Sequence, residues 1–133
     1  MAWRLDTNAW IVYLKSAQSP LRARLEKLRP GDVLLCSVVK AELLHGAEKY
    51  GNRERRLAIL LELFSPYASL PFDDTAAAVY GRIRHELEIG RNVIGPNDLM
   101  IAAIALAGSH TLVTHNAAEF GRVSGLRLED WQT

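Results

Sequence analysis

An α/β fold, with a central parallel β-sheet flanked by helices on both faces, is predicted for this 133-residue chain by three observations. Short apolar runs recur along it, as strands covered on both faces require. Between them the apolar residues return at helical spacing. Capping residues, glycines and prolines separate the two kinds of segment, giving the alternation of strand and helix from which parallel sheets are built. No linker, low-complexity tract or internal repeat interrupts the pattern, and a single domain over residues 1–133 is expected.

The first strand is predicted over residues 3–6 and the second over 33–37, where Val33, Leu34, Leu35 and Cys36 form an apolar run. Between them Asn8 is expected to cap a short helix bearing Trp10, Ile11 and Leu14. Ser19, with Pro20 at the first helical position, opens another through Leu21, Leu25 and Leu28. Ser37 is expected to cap a helix through Ala47; after the Tyr50-Gly51-Asn52 break, Leu57, Leu60, Leu61 and Phe64 fall at helical spacing. A weak third strand covers 68–70. Asp73 and Asp74 start a long helix with Ala76, Val79, Tyr80, Ile83 and Leu87 on one stripe, ended by Gly90. Gly95-Pro96-Asn97 opens a helix over 98–107 that is apolar on every side, which calls for burial all round, in the core or against another chain. A fourth strand is predicted over 111–114 and a late one over 126–128.

Composition narrows the function. The net charge is +1, without the strongly basic balance of many nucleic-acid binders. That balance changes if Asp6, Glu42, Asp98 and Glu119 surround a cation, because the remainder of the molecule is then basic and rich in arginine, a side chain suited to phosphate. The one cysteine, Cys36, excludes an internal disulfide and reads as a small core residue. No apolar run reaches the roughly 20 residues that span a bilayer, so a soluble, cytoplasmic protein is expected. The histidines lack the paired spacing of a zinc site, and no glycine-rich phosphate loop or nucleophile elbow is present.

Three acids stand out by position. Asp6 closes the first strand, Glu42 lies one helical turn beyond the second, and Asp98 stands at the mouth of the all-apolar helix. Ligands of an open parallel sheet collect outside the carboxyl ends of its strands. Carboxylates gathered there repel one another unless a divalent cation joins them. Glu42 projects among Val38, Val39 and Gly46, where a carboxylate is costly unless metal-bound or paired with an arginine. Asp98 and Asp6 each also suit plain helix capping, and Asn116-Ala117-Ala118-Glu119 fits a capping box. Thr7, Asn8 and Thr114 are either hydrogen-bonding neighbours of the acids or ordinary turn residues. Hard oxygen donors suit Mg²⁺, with Mn²⁺ as an alternative.

Taken in order, Leu5-Asp6-Thr7-Asn8, Ser37-Val38-Val39-Lys40-Ala41-Glu42-Leu43, Gly95-Pro96-Asn97-Asp98-Leu99-Met100-Ile101-Ala102 and Val113-Thr114-His115-Asn116-Ala117-Ala118-Glu119-Phe120 resemble the PIN-domain ribonucleases, specifically the VapC toxins of bacterial type II toxin–antitoxin pairs. The resemblance spans nearly the whole chain and implies a PIN-like fold. It implies an acidic metal site at Asp6, Glu42 and Asp98, with Mg²⁺ held chiefly by Asp6 and Asp98. The fourth family position, commonly an aspartate, is Asn116 here, and Glu119 either supplies the missing carboxylate or caps a helix. The tail from Phe120 to Trp131 looks like that of VapC toxins that cut initiator tRNA in its anticodon loop. The resemblance thus implies a metal-dependent endoribonuclease that cleaves tRNA and inhibits translation, a homodimer, and a cognate VapB antitoxin whose tail occupies the acidic cleft.

Rival readings predict different behaviour. A non-catalytic binding module of the same fold would receive arginines from a partner at the carboxylates. A receiver-type phosphoacceptor would need a regular βα rhythm, which the two successive helices between the second and third strands disturb. A DNA-cutting relative would be separated by offering both nucleic acids.

Overall fold

The computed structural model describes residues 2–133. Five strands run parallel in the order β3-β2-β1-β4-β5: β1 (Trp3–Leu5), β2 (Val33–Cys36), β3 (Ala68–Leu70), β4 (Thr111–Val113) and β5 (Leu128–Glu129). Between them lie α1 (Thr7–Lys15), α2 (Pro20–Glu26), α3 (Ser37–Lys49), α4 (Arg53–Phe64), α5 (Asp74–Ile89), α6 (Pro96–Ala107) and α7 (Ala117–Phe120). The chain winds outward from β1 to β2 and β3, then returns to the other side of β1 for β4 and β5. The reversal falls between β1 and β4, and the crevice outside their carboxyl ends is where such sheets bind ligands.

Several expected boundaries move, each for a local reason. Asp6, not Asn8, caps α1: its Oδ1 accepts from the Ala9 amide at 2.8 Å, and Asn8 lies exposed in the first turn. The first strand ends at Leu5 because Asp6 already has cap geometry. Cys36, without a side-chain cap, precedes α3, so Ser37 is the first helical residue rather than the cap. Ser19 does cap α2, accepting from the Arg22 amide at 3.1 Å. The late strand is Leu128–Glu129, shifted by pairing with Leu112 and Val113.

The apolar helix α6 packs most extensively on α5, whose buried residues include Ala76, Ile83 and Leu87, and it also meets α3 and β4, so that Leu99 and residues 101–105 are buried all round. Each fully buried Leu or Ile contributes roughly 1.5–3 kcal/mol relative to exposure. The tail is fixed by Trp131, which is buried, tilts against Trp3 at 6.3 Å, and donates through Nε1 to Glu129 Oε1 at 2.9 Å. Arg24 meets the same oxygen at 2.9 Å.

One core feature has no counterpart in the sequence pattern. Arg4, in the central strand, is 0 % exposed. Its guanidinium donates to the Leu35 carbonyl at 3.4 Å, approaches His110 Nδ1 to 3.1 Å, and leaves Nε without a partner. Gly108 makes room for this arrangement, since a Cβ there would overlap the His110 ring.

Candidate active site

The register of β1 and β4 builds the centre of the site. Leu5 pairs with Val113, and the Asp6 amide continues the ladder by donating to the Val113 carbonyl at 3.0 Å. Asp6 and Thr114 therefore emerge side by side at the switch point. Thr114 donates its hydroxyl to Asp6 Oδ2 at 2.5 Å, and accepts from the Asn116 amide at 2.9 Å. Asp6 is buried, and burial pushes its carboxyl pKa up. The bonds from Thr114 and Ala9 work in the opposite direction by favouring the ionised form, Glu42 raises it further, and His115 lowers it.

Glu42 comes from the second turn of α3. Its Oε1 accepts from Thr7 Oγ1 at 2.6 Å, and its Oε2 meets Asn97 Nδ2 at a long 3.5 Å. Thr7 is thus a hydrogen-bonding neighbour of the acids rather than a plain turn residue. Asn97, which sequence reasoning did not select, joins the site as well; its place directly before Asp98 was the available signal.

Asp98 is half-buried at the third position of α6. It is not a cap, because Gly95 occupies the N-cap position without a side-chain bond. Its carboxyl pKa is raised to about 6, first by burial and then by Glu42, Glu119 and Asp6. Three other acids from three other segments act on it in the same direction. Asn116 and Glu119 do not form the expected capping box: Asn116 Nδ2 donates to Glu119 Oε2 at 3.1 Å, and the Asn116 side chain makes no cap bond to α7.

Glu42, Glu119 and Asp6 all oppose the charge on Asp98, yet the four carboxylates do not close into a compact set. Among the described residues no three His, Cys, Asp or Glu side chains are grouped tightly enough to be a ready-made metal cage. The donor chemistry is nevertheless specific: carboxylate oxygens without thiolate or paired imidazole match a hard dication rather than zinc. Repulsion at Asp98 is relieved either by a proton or by a cation.

Comparison with known proteins gives a consistent family. Residues 4–126 match the PIN domain. The chain is 40% identical over 131 residues to the tRNA(fMet)-specific endonuclease VapC of Shigella flexneri, and 35% identical over 131 residues to ribonuclease VapC2 of Haemophilus influenzae strain Rd; each alignment covers 98% of both chains. Its fold superposes with a TM-score of 0.92 on a chain of the crystal structure of VapBC2 from Rickettsia felis bound to a promoter DNA fragment, at 34% identity over 98% of this chain and 99% of that one. These matches set aside the receiver reading and the non-catalytic module. The chain belongs to the PIN-domain family and, within it, to the VapC endoribonucleases, the toxins of VapBC toxin–antitoxin systems.

Proposed function

We propose that this ribonuclease cuts tRNA(fMet) in the anticodon loop with the help of Mg²⁺, Mn²⁺ being an alternative, and so inhibits translation in the cytoplasm. The observation that carries the metal dependence is the set of three acids, each from another segment, acting on Asp98. The substrate follows from similarity to a tRNA(fMet)-specific relative across nearly the full chain. An exposed loop also suits a single-strand cutter, since A-form duplex hides its base edges.

Asp6 and Asp98 would hold the ion, with Glu42 completing its shell or orienting the attacking water. When bound, a divalent cation lowers the pKa of water and offsets charge building on the phosphate oxygens. Thr114 and the Ala9 amide fix Asp6 in direction and favour its ionised form, while Thr7 and Asn97 fix Glu42 in direction. Asn116 orients Glu119, whose carboxylate stands in for the charge that Asn116 lacks.

The partner of this toxin is a VapB-type antitoxin, consistent with the VapBC complex among its structural neighbours. A groove of about 600 Å³ between α1, α3 and α4 fits its inhibitory segment. The wall is apolar through Ile11, Leu14, Leu43 and Ile59, carries Lys15 and Arg56, and reaches Glu42. An apolar peptide ending in a basic side chain complements both the groove and the acid. The toxin is also proposed to be a homodimer; Ile89 and Val93, exposed around the end of α5, are apolar surface available for contact. No helix among the described residues is long and apolar enough to cross a membrane.

The test is incubation of antitoxin-free protein with total tRNA, in Mg²⁺ and in chelator, followed by mapping of new ends. One tRNA species nicked in its anticodon loop, only with metal, is the expected result. Uniform cutting of many tRNAs would contradict the substrate, and equal cutting in chelator would contradict the metal.

A further inference from the structure

Beside the acids, one exposed imidazole is held more firmly than a surface histidine requires. His115 sits between Thr114, which bonds Asp6, and Asn116, which bonds Glu119. Its side chain is 62 % exposed, yet Nδ1 lies 2.9 Å from Asp130 Oδ2. Asp130 is itself fixed, since its Oδ1 accepts from the Gln132 amide at 2.9 Å. The residues on either side are anchored too, Trp131 by burial and Glu129 by pairing with β4. Its neighbour Thr114 bonds Asp6 directly, which sets the exposed imidazole at the lip of the acidic site.

A carboxylate only accepts, so the imidazole keeps a proton on Nδ1 facing Asp130. In the neutral ring Nε2 then carries a lone pair on the far side from Asp130. That lone pair selects among the groups of an RNA strand. At a phosphodiester linkage the phosphate and bridging oxygens only accept hydrogen bonds; the donor of the sugar–phosphate backbone is the ribose 2′-hydroxyl.

We propose that His115 is a specificity-determining residue whose Nε2 accepts a hydrogen bond from the 2′-hydroxyl of a nucleotide flanking the scissile phosphate, with Asp130 as its positioning residue. The enzyme would thereby read ribose at the cut. The role rests on the cleavage of tRNA at the acidic site proposed above.

The experiment uses a tRNA(fMet) anticodon stem-loop, all-ribose or with single 2′-deoxy substitutions at each nucleotide flanking the cut. Wild-type, His115→Ala and Asp130→Asn proteins are compared by kcat/KM and by binding in chelator. One deoxy position is expected to lower wild-type kcat/KM and affinity roughly three- to tenfold, the worth of one neutral hydrogen bond. His115→Ala should cut more weakly and no longer distinguish the two sugars. Asp130→Asn should behave alike, because its amide can donate to Nδ1 and favour the other tautomer, an effect with precedent in catalytic triads. Melting temperatures should stay within about 2 °C of wild type, as for other exposed pairs.

Two results overturn the proposal while leaving the nuclease in place: wild type indifferent to both deoxy positions, or His115→Ala retaining the full deoxy penalty. The first is also what a phosphate-binding imidazolium would give. Wild type that leaves the all-ribose stem-loop uncut would overturn the tRNA-cleavage reading together with this role.

Discussion

Thr114 gives its hydroxyl proton to Asp6 Oδ2 at 2.5 Å, one residue beyond the point where β4 and β1 pair at Val113 and Leu5. The bond joins sheet register to site chemistry, because it favours the ionised form of the central carboxylate at a buried position where burial favours the protonated one. Thr114→Val keeps the side-chain shape and removes the donor. Stability should fall by about 1–3 kcal/mol, the cost of an unsatisfied buried group. Cleavage should drop roughly 10- to 100-fold, as when a partner of a metal ligand is lost. Denaturant unfolding and stem-loop cleavage check both, and Thr114→Ser should recover most of each.

Asp98 predicts how pH and metal are coupled. Its carboxyl pKa rises from 3.8 to about 6 on folding, so the folded state binds the proton more tightly than the unfolded chain. This stabilising contribution is complete below the unfolded value and is lost as pH rises through about 6. Relative to Asp98→Asn, the wild-type protein should therefore lose melting temperature between pH 4 and pH 7. Mg²⁺ should restore it at pH 7.5 and have little effect at pH 4.5. At 100-fold excess over its dissociation constant, a ligand contributes about 2.7 kcal/mol.

His110 works in the opposite direction. Burial, Arg4 and Arg127 all lower its pKa from 6.5, and Arg4 lies 3.1 Å from Nδ1. The folded state binds this proton less tightly than the unfolded chain does. Stability is thus fully present above 6.5 and is lost as pH falls toward the depressed folded value. His110→Gln keeps an acceptor for Arg4 but cannot titrate. Its unfolding free energy should vary less with pH below 6.5 than that of wild type. Parallel curves would remove His110 as the cause.

Asn116 spares the site a further charge next to Glu119, with which it shares a 3.1 Å hydrogen bond. Asn116→Asp replaces that bond with repulsion. Without metal the variant should be less stable by about 0.5–1.5 kcal/mol, the usual worth of one hydrogen bond. Its Mg²⁺ affinity, read by calorimetry, should be higher than that of wild type.

Much of the fold was legible because it rests on periodicity: the five strands, the paired helices after β2 and the all-apolar α6 all announce themselves in apolar spacing. The positions of Asp6, Glu42 and Asp98 in the fold were legible for the same reason: Asp6 follows a strand, Asp98 lies in the first turn of a helix, and Glu42 lies one turn inside another. Local roles were less so. Asp6 and Asn8 are both good caps, and the β1–β4 ladder decides between them. Asn116 and Glu119 have the spacing of a capping box, yet their side chains bond each other. The Arg4–His110 contact and the His115–Asp130 pair join residues distant in sequence, and only tertiary structure brings them together.

The most direct test of the acidic site compares wild type with Asp6→Asn, both free of antitoxin and both shown to be folded by melting temperature, on the tRNA(fMet) anticodon stem-loop over a Mg²⁺ titration. Wild type should cut with a saturable Mg²⁺ dependence while Asp6→Asn stays at least about 100-fold slower at every concentration, a deficit of some 2.7 kcal/mol in transition-state stabilisation. Equal rates for the two proteins, with the same Mg²⁺ dependence, would contradict the assignment of Asp6 to the metal site.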